Sequence, residues 1–224
     1  LMLLVSGGHS QFVLVRGVGQ YERWGTTIDD AVGEAFDKVA KLLDLGVPGG
    51  PYVEKIALKG NPKAFAFPRP LLKEARLDFS FSGLNTAVRL AAEARAPLTE
   101  QDDAENAASF QASVAEIVAS RSRRALHRLR DELAPGVPLQ LVVAGGVAAN
   151  RTIGAALREV AEAAGATLVV PPIPLCTDNG AMVARAGAER LSHGARSTLS
   201  APAHARWPLD SAGYVNFASF DNGY

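Results

Sequence analysis

Three glycine pairs, Gly7-Gly8, Gly49-Gly50 and Gly145-Gly146, are the residues of this chain best suited to hold an anion. Lacking Cβ atoms, paired glycines let several backbone N–H groups converge on one oxygen-rich group, and a following helix adds its positive end. Each pair taken alone is equally well a plain tight turn. Two of the pairs, however, come directly after apolar runs that read as strands, residues 1–5 and 139–143, which points to a nucleotide or phosphate site. Asp30, Glu34 and Asp37 follow one another at spacings of four and three, so on a helix their carboxylates share a face. That face is either solvated, with Lys38 and Lys41 neutralising it, or it offers a carboxylate to ribose hydroxyls; spacing does not say which of the three.

Asn150 stands four residues after Gly146, where a helix should begin, so its side chain is a cap, a contact to a base or ribose, or both. Asp178 follows Cys176-Thr177 at another expected helix start and is both a capping candidate and an oxygen donor for a metal. The four histidines, His9, His127, His193 and His204, form no His-Glu-x-x-His and no paired spacing, so local motifs do not build a complete metal site. Ser6 and His9 lack the Gly-x-Ser-x-Gly elbow of a serine nucleophile. Arg121, Arg123, Arg124, Arg128 and Arg130, with His127, make the densest basic stretch, either a solvated helix face or a contact to RNA phosphates.

The elements that must position these groups are read from periodicity. Residues 1–5 and 12–15 are apolar strands around the turn at residues 6–9, and Gly17 and Gly19 mark a loop that leads past Trp24-Gly25. Residues 27–45 carry an apolar stripe (Ile28, Val32, Ala35, Phe36, Val39, Leu42, Leu43), with Thr27 as N-cap and Asp29 and Asp30 in the first turn. A short helix over 52–58 follows Pro51. Residues 60–82, rich in Pro and Phe, read as loop with short strands. Helices are expected over 82–94, 102–133, 150–164 and 178–191, and buried strands over 139–143 and 167–170. This alternation predicts an α/β fold with a parallel or mixed sheet covered by helices. Residues 194–224 lack periodicity and read as a tail, ordered in part at best.

Composition narrows the class. A chain of 224 residues that is 48% hydrophobic and 21% charged builds an ordinary core and is not a disordered segment. Lys and Arg number 23 and so do Asp and Glu, so contact with nucleic acid must come from a local patch and not from a global field. The single cysteine, Cys176, excludes an internal disulfide framework and suits a reducing cytoplasm. No apolar run reaches the roughly 18 residues of a membrane span. The chain starts inside an apolar run, which leads us to expect a part that precedes it.

Six motifs occur in order: residues 5–11 (VSGGHSQ), 28–38 (IDDAVGEAFDK), 48–51 (PGGP), 78–84 (DFSFSGL), 144–151 (AGGVAANR) and 176–182 (CTDNGAM). Together they closely resemble the tRNA N(6)-adenosine threonylcarbamoyltransferase family (TsaD in bacteria, formerly O-sialoglycoprotein endopeptidases), over about residues 1–193. The resemblance implies an actin-like, sugar-kinase-like and Hsp70-like ATPase fold. In it, residues 1–193 form the carboxy-terminal nucleotide-binding lobe, with a helical insertion within about 27–133, and 194–224 a tail. It implies transfer of a threonylcarbamoyl group from threonylcarbamoyl-adenylate to the N6 amine of the adenosine beside the anticodon of ANN-reading tRNAs, with release of AMP. By the same resemblance Leu4, Val5, Ser6, Gly7 and Gly8 bind the donor's phosphate and acyl region. Asp37, Gly50 and Asn150 bind the nucleoside end, Glu54 is a neighbouring acidic contact, and Asp178 ligates one iron or zinc ion per subunit. No residue is nominated as general base.

The family's two other metal ligands lie in a His-x-x-x-His motif upstream of the segment matching Leu1, so the resemblance implies a missing amino-terminal lobe. It further implies that this chain alone binds metal weakly and transfers nothing. The implied partners are tRNA, the adenylate donor, a paralogous dimerisation subunit and a small P-loop ATPase, in the cytoplasm and without a membrane. The alternative is a catalytically silent nucleotide-binding paralogue that serves as a dimer platform; Asn150 and Asp178 argue against it. A metalloprotease is disfavoured by the lack of His-Glu-x-x-His, and a small-molecule kinase of the same superfamily would be told apart by phosphorylation assays.

Overall fold

The Ser10–Gly17 segment, with its continuous apolar run, pairs on both sides, and a mixed five-stranded sheet grows around it and its neighbour in the order β3-β2-β1-β4-β5. A computed structural model describes residues 1–198 and 200 of the chain. The strands are β1 (Met2–Val5), β2 (Ser10–Gly17), β3 (Gln20–Thr26), β4 (Gln140–Ala144) and β5 (Thr167–Val169). β1, β2 and β3 form an antiparallel meander, with Leu3 opposite Phe12 and Phe12 opposite Gly25, whereas β4 and β5 add on the other side in parallel. Strand β3 was not expected: Trp24 and Gly25 lie inside it and not in a loop. Its sequence, Gln-Tyr-Glu-Arg-Trp-Gly-Thr, has no clear apolar alternation because most of it is solvent-facing.

Four helices, α1 (Val32–Leu42), α2 (Gly49–Ala57), α3 (Ser82–Ala94) and α4 (Glu100–Glu132), fill the stretch between β3 and β4. Helix α5 (Arg151–Ala163) joins β4 to β5, and α6 (Gly180–Ser192) follows β5. The 33-residue α4 starts at a capping box, Thr99 with Asp102, and packs against α2, α3 and α5. Its Phe110 meets Phe36 of α1 edge to face, with ring centroids 5.0 Å apart, and Phe12 of the sheet stacks on Phe79 at 5.3 Å. These contacts join helices and sheet into one apolar core. Among the described residues, no helix is long and apolar enough to cross a membrane.

Three expectations need correction. Helix α1 begins at Val32, not at Thr27, and its N-cap is Ala31. Residues 27–30 are held extended because Thr27 bridges to Phe79 and the Asp29 carboxylate accepts from the backbone N–H of Phe81. Ile28 is therefore outside the stripe and exposed. Helix α2 starts three residues before Tyr52, and Pro51 sits in its first turn instead of ahead of it. Strand β5 is an exposed edge strand, not a buried one, since Thr167 and Val169 face outward. The expected tail lies almost wholly outside the described residues.

Candidate functional site

A cavity of about 290 Å³ opens where β1 ends and helices α1, α2 and α5 begin. Its lining takes Gly7 from the turn after β1, Gly33 and Asp37 from α1, Gly50 and Glu54 from α2, and Asn150 from the N-cap of α5. Each helix start presents the positive end of a dipole, which favours an anion, while the first N–H of each is already taken, Val32 by Ser10 Oγ, Gly49 by Asp37 Oδ1 and Arg151 by Glu54 Oε1.

The three glycine pairs divide their labour. A Cβ on Gly49 would meet the Ala40 Cβ and the Asp37 Cα at 2.7 Å, so this glycine lets α2 pack on α1. Gly145 has φ of +100° and a Cβ there would lie 2.2 Å from the Val5 carbonyl oxygen, which ties the end of β4 to the end of β1. The other members, Gly50 and Gly146, line the cavity, and Gly50 faces open space. Gly7 lines it too, with Gly33 of α1 packed against it so closely that a Cβ would come within 2.8 Å of the Gly7 Cα. In the turn itself Ser6 Oγ accepts from the N–H groups of Gly8, at 3.3 Å, and His9, at 3.1 Å.

The polar side chains of the cavity are partly engaged by the fold. Asp37 Oδ1 accepts from the Gly49 N–H at 2.7 Å, which caps α2 from a neighbouring helix. Glu54 Oε1 accepts from the Arg151 N–H at 2.7 Å, and Asn150 Oδ1 accepts from the Ile153 N–H at 3.0 Å, both at the start of α5. Asn150 is only 7% exposed, and its Nδ2 donates to Gln111 Oε1 of α4 at 2.8 Å. Among the described residues the second carboxylate oxygen of Asp37 and of Glu54 makes no protein hydrogen bond, which suits them to hydroxyl groups of a ligand.

The structure thus brings Gly7, Asp37, Gly50, Glu54 and Asn150 to one cavity, whereas Leu4, Val5, Ser6 and Gly8 do not line it. Asp30 and Glu34 do not join Asp37: both are held by Lys38 Nζ, at 2.6 Å and 2.9 Å, on the outer side of α1. Asp178 is exposed and outside the lining, although its neighbour Thr177 lies within it. Among the described residues no group of three His, Cys, Asp or Glu side chains could hold a metal ion, so one carboxylate at Asp178 does not by itself fit one. The basic stretch on α4 also breaks up. Arg121 is fully buried and donates to the backbone carbonyls of Leu71, Glu74 and Arg76, and Arg128 lies over the Trp24 ring.

Sequence reasoning missed Gln111, which sits mid-helix with no spacing cue. It also took Phe36 only as core, although this residue contributes to the cavity lining. Thr177 was passed over in favour of its neighbour; its methyl lies 3.9 Å from where a Gly146 Cβ would stand.

The described fold is similar to a stretch of T. kodakarensis HypF, with a TM-score of 0.51 at 24% identity over 75% of this chain and 21% of that one, a likeness of fold alone. The tRNA N6-adenosine threonylcarbamoyltransferase of Brucella anthropi is 59% identical over 210 residues, which cover 94% of this chain and 58% of that protein. The protein of the same name from Brucella ovis is 58% identical over the same shares. The chain therefore spans less than two thirds of the length of these relatives. Residues 1–185 match the TsaD family, described as tRNA N6-adenosine threonylcarbamoyltransferase. With that match lying across β1, the three glycine pairs and the whole cavity, the chain belongs to the TsaD family.

Proposed function

We propose that the cavity binds the adenylate part of threonylcarbamoyl-adenylate, and that the longer protein to which this lobe corresponds transfers the threonylcarbamoyl group to N6 of the adenosine beside the anticodon of ANN-reading tRNAs. The lobe is read as the carboxy-terminal half of an actin-like, sugar-kinase-like ATPase fold, in keeping with the strand order and the helices between β3 and β4. One observation carries the reading: the starts of α1, α2 and α5 meet at one cavity edged by Gly7, Gly50 and Gly146, with Asp37, Glu54 and Asn150 around it.

In the reaction, the N6 lone pair attacks the carbamoyl carbon of the mixed anhydride. The bond from that carbon to the phosphate oxygen breaks, AMP leaves with the bonding electrons, and one proton leaves N6. The helix starts hold the phosphate and stabilise the negative charge that grows on it as it departs. The free oxygens of Asp37 and Glu54 accept from ribose hydroxyls, and Asn150 contacts the nucleoside end. Holding the donor in a fixed pose removes most of the orientational entropy of the transfer. Asp178 is proposed as one donor to an iron or zinc ion, whose ligand set the described residues do not complete. The proposed partners are tRNA, a paralogous dimerisation subunit and a small P-loop ATPase, in the cytoplasm.

Calorimetric titration of the chain with AMP tests the reading. Saturable binding is expected, competed by a non-hydrolysable donor analogue and not by inorganic phosphate alone. Failure of AMP to bind, or displacement by phosphate as effective as by the analogue, overturns it.

A further inference from the structure

Gln111 lies in the middle of α4, is 5% exposed, and has no place in the reading so far beyond its contact with Asn150. A buried glutamine amide must satisfy one carbonyl and one NH₂ group, so its presence in the core demands partners on both sides. Both are at the start of α5: Oε1 accepts from Asn150 Nδ2 at 2.8 Å and Nε2 donates to Thr152 Oγ1 at 2.9 Å. Asn150 in turn has its Oδ1 on the Ile153 N–H at 3.0 Å. The Asn150 amide is therefore held at two points. Its carbonyl is turned to the helix, and one of its two Nδ2 hydrogens is turned to Gln111. Asn150 also lines the cavity; its second Nδ2 hydrogen is uncommitted among the described residues, while Oδ1, turned to the Ile153 N–H, keeps one lone pair.

We infer that Gln111 is a positioning residue of the cavity, one that holds Asn150 so that a hydrogen-bond donor, and not a carbonyl, meets an acceptor atom of the bound nucleoside. The inference rests on the nucleotide reading of the cavity and adds the polarity of one contact and the residue that sets it. Gln111 touches no ligand itself; it acts through Asn150. A side chain with no acceptor at position 111 leaves the Asn150 amide held only by the Ile153 N–H, free to tilt out of the plane that the ligand needs. A glutamate there keeps an acceptor for Asn150, while the Thr152 hydroxyl can rotate to donate to it.

The test is AMP titration of the chain carrying Gln111→Met, Gln111→Glu, Asn150→Ala or Asn150→Ala with Gln111→Met. It is paired with AMP analogues that each lack one acceptor (3-deaza, 7-deaza, 2′-deoxy and 3′-deoxy). Gln111→Met is expected to weaken AMP binding about tenfold, the scale of one well-placed hydrogen bond, and Gln111→Glu to restore most of it. On the Asn150→Ala background Gln111→Met is expected to add nothing. One analogue should bind worse than AMP to the unsubstituted chain yet equal AMP in Gln111→Met, a pattern that general destabilisation would not produce. AMP binding unchanged by Gln111→Met, or equally weakened on both backgrounds, overturns the inference and leaves the nucleotide reading intact. No AMP binding by the unsubstituted chain overturns both.

Discussion

At the residue scale, the glycine pairs separate packing from binding, and the two roles predict opposite outcomes for one small change. Gly145→Ala forces a side chain into a φ of +100° and against the Val5 carbonyl, so it should cost about 2 kcal/mol or more, read as a lowered urea midpoint. Gly50→Ala meets no neighbour within 4 Å and sits in the first turn of α2. Its stability should hold or rise by up to about 1 kcal/mol, while AMP binding falls because the methyl enters the cavity. Asn150→Ala should fail in both respects, losing about 1 kcal/mol of cap stabilisation together with AMP affinity. Thermal melts and titrations on the same samples check all three.

At the element scale, the helices around the cavity are capped by side chains from elsewhere in the chain. Ser10 Oγ accepts from the Val32 N–H of α1 at 2.8 Å, Asp37 serves α2, and Glu54 serves α5. Asp29 accepts from the Phe81 N–H at 2.8 Å and from the hydroxyls of Ser80 and Ser82, at the start of α3. Partial burial would raise the Asp29 pKa, but these hydrogen bonds, led by that of Ser80, outweigh it and hold the carboxyl below its ordinary value. A depressed folded-state pKa means stability that is present above the unfolded pKa of about 3.9 and is lost as pH falls through the lower folded value. The stability difference between the unsubstituted chain and Asp29→Asn should therefore be full at neutral pH and vanish on acidification past that range, as urea midpoints would show. Arg121 plays a similar part for the loop before α3, and Arg121→Ala should cost on the order of 3 kcal/mol by stranding the Leu71, Glu74 and Arg76 carbonyls.

At the scale of the whole molecule, burial is uneven. Helix α4 buries residues along most of its length, whereas α6 buries none and exposes Met182, Val183 and Leu191. Local stability follows buried apolar contact, so amide hydrogens of α6 should exchange orders of magnitude faster than those of central α4, as mass-spectrometric exchange would read. Protection of α6 equal to that of α4 would contradict this packing.

Much of this architecture is legible along the chain where a local period exists. Helix α3 runs over residues 82–94 as its pattern predicts, and α5 and β4 differ from expectation by one residue at each end. The start of α1 was not legible, because what holds residues 27–30 extended is a bridge to Phe79 and bonds to residues 80–82, some fifty positions away. The split of Asp37 from Asp30 and Glu34 was equally hidden, since helical spacing puts all three on one face and cannot say that a glycine N–H from the next helix will claim one of them. Residue types and their local order determined which segments would be helix or strand, and which turns could admit an anion, because propensity and periodicity act over a few residues. Only the tertiary structure decided that Gly7, Gly50, Gly146, Asp37, Glu54 and Asn150 share one cavity and that Gln111 stands behind it. Those meetings depend on hydrogen bonds and close approaches between distant residues, 97 positions apart for Glu54 and Arg151 and 140 for Val5 and Gly145, which no local pattern encodes.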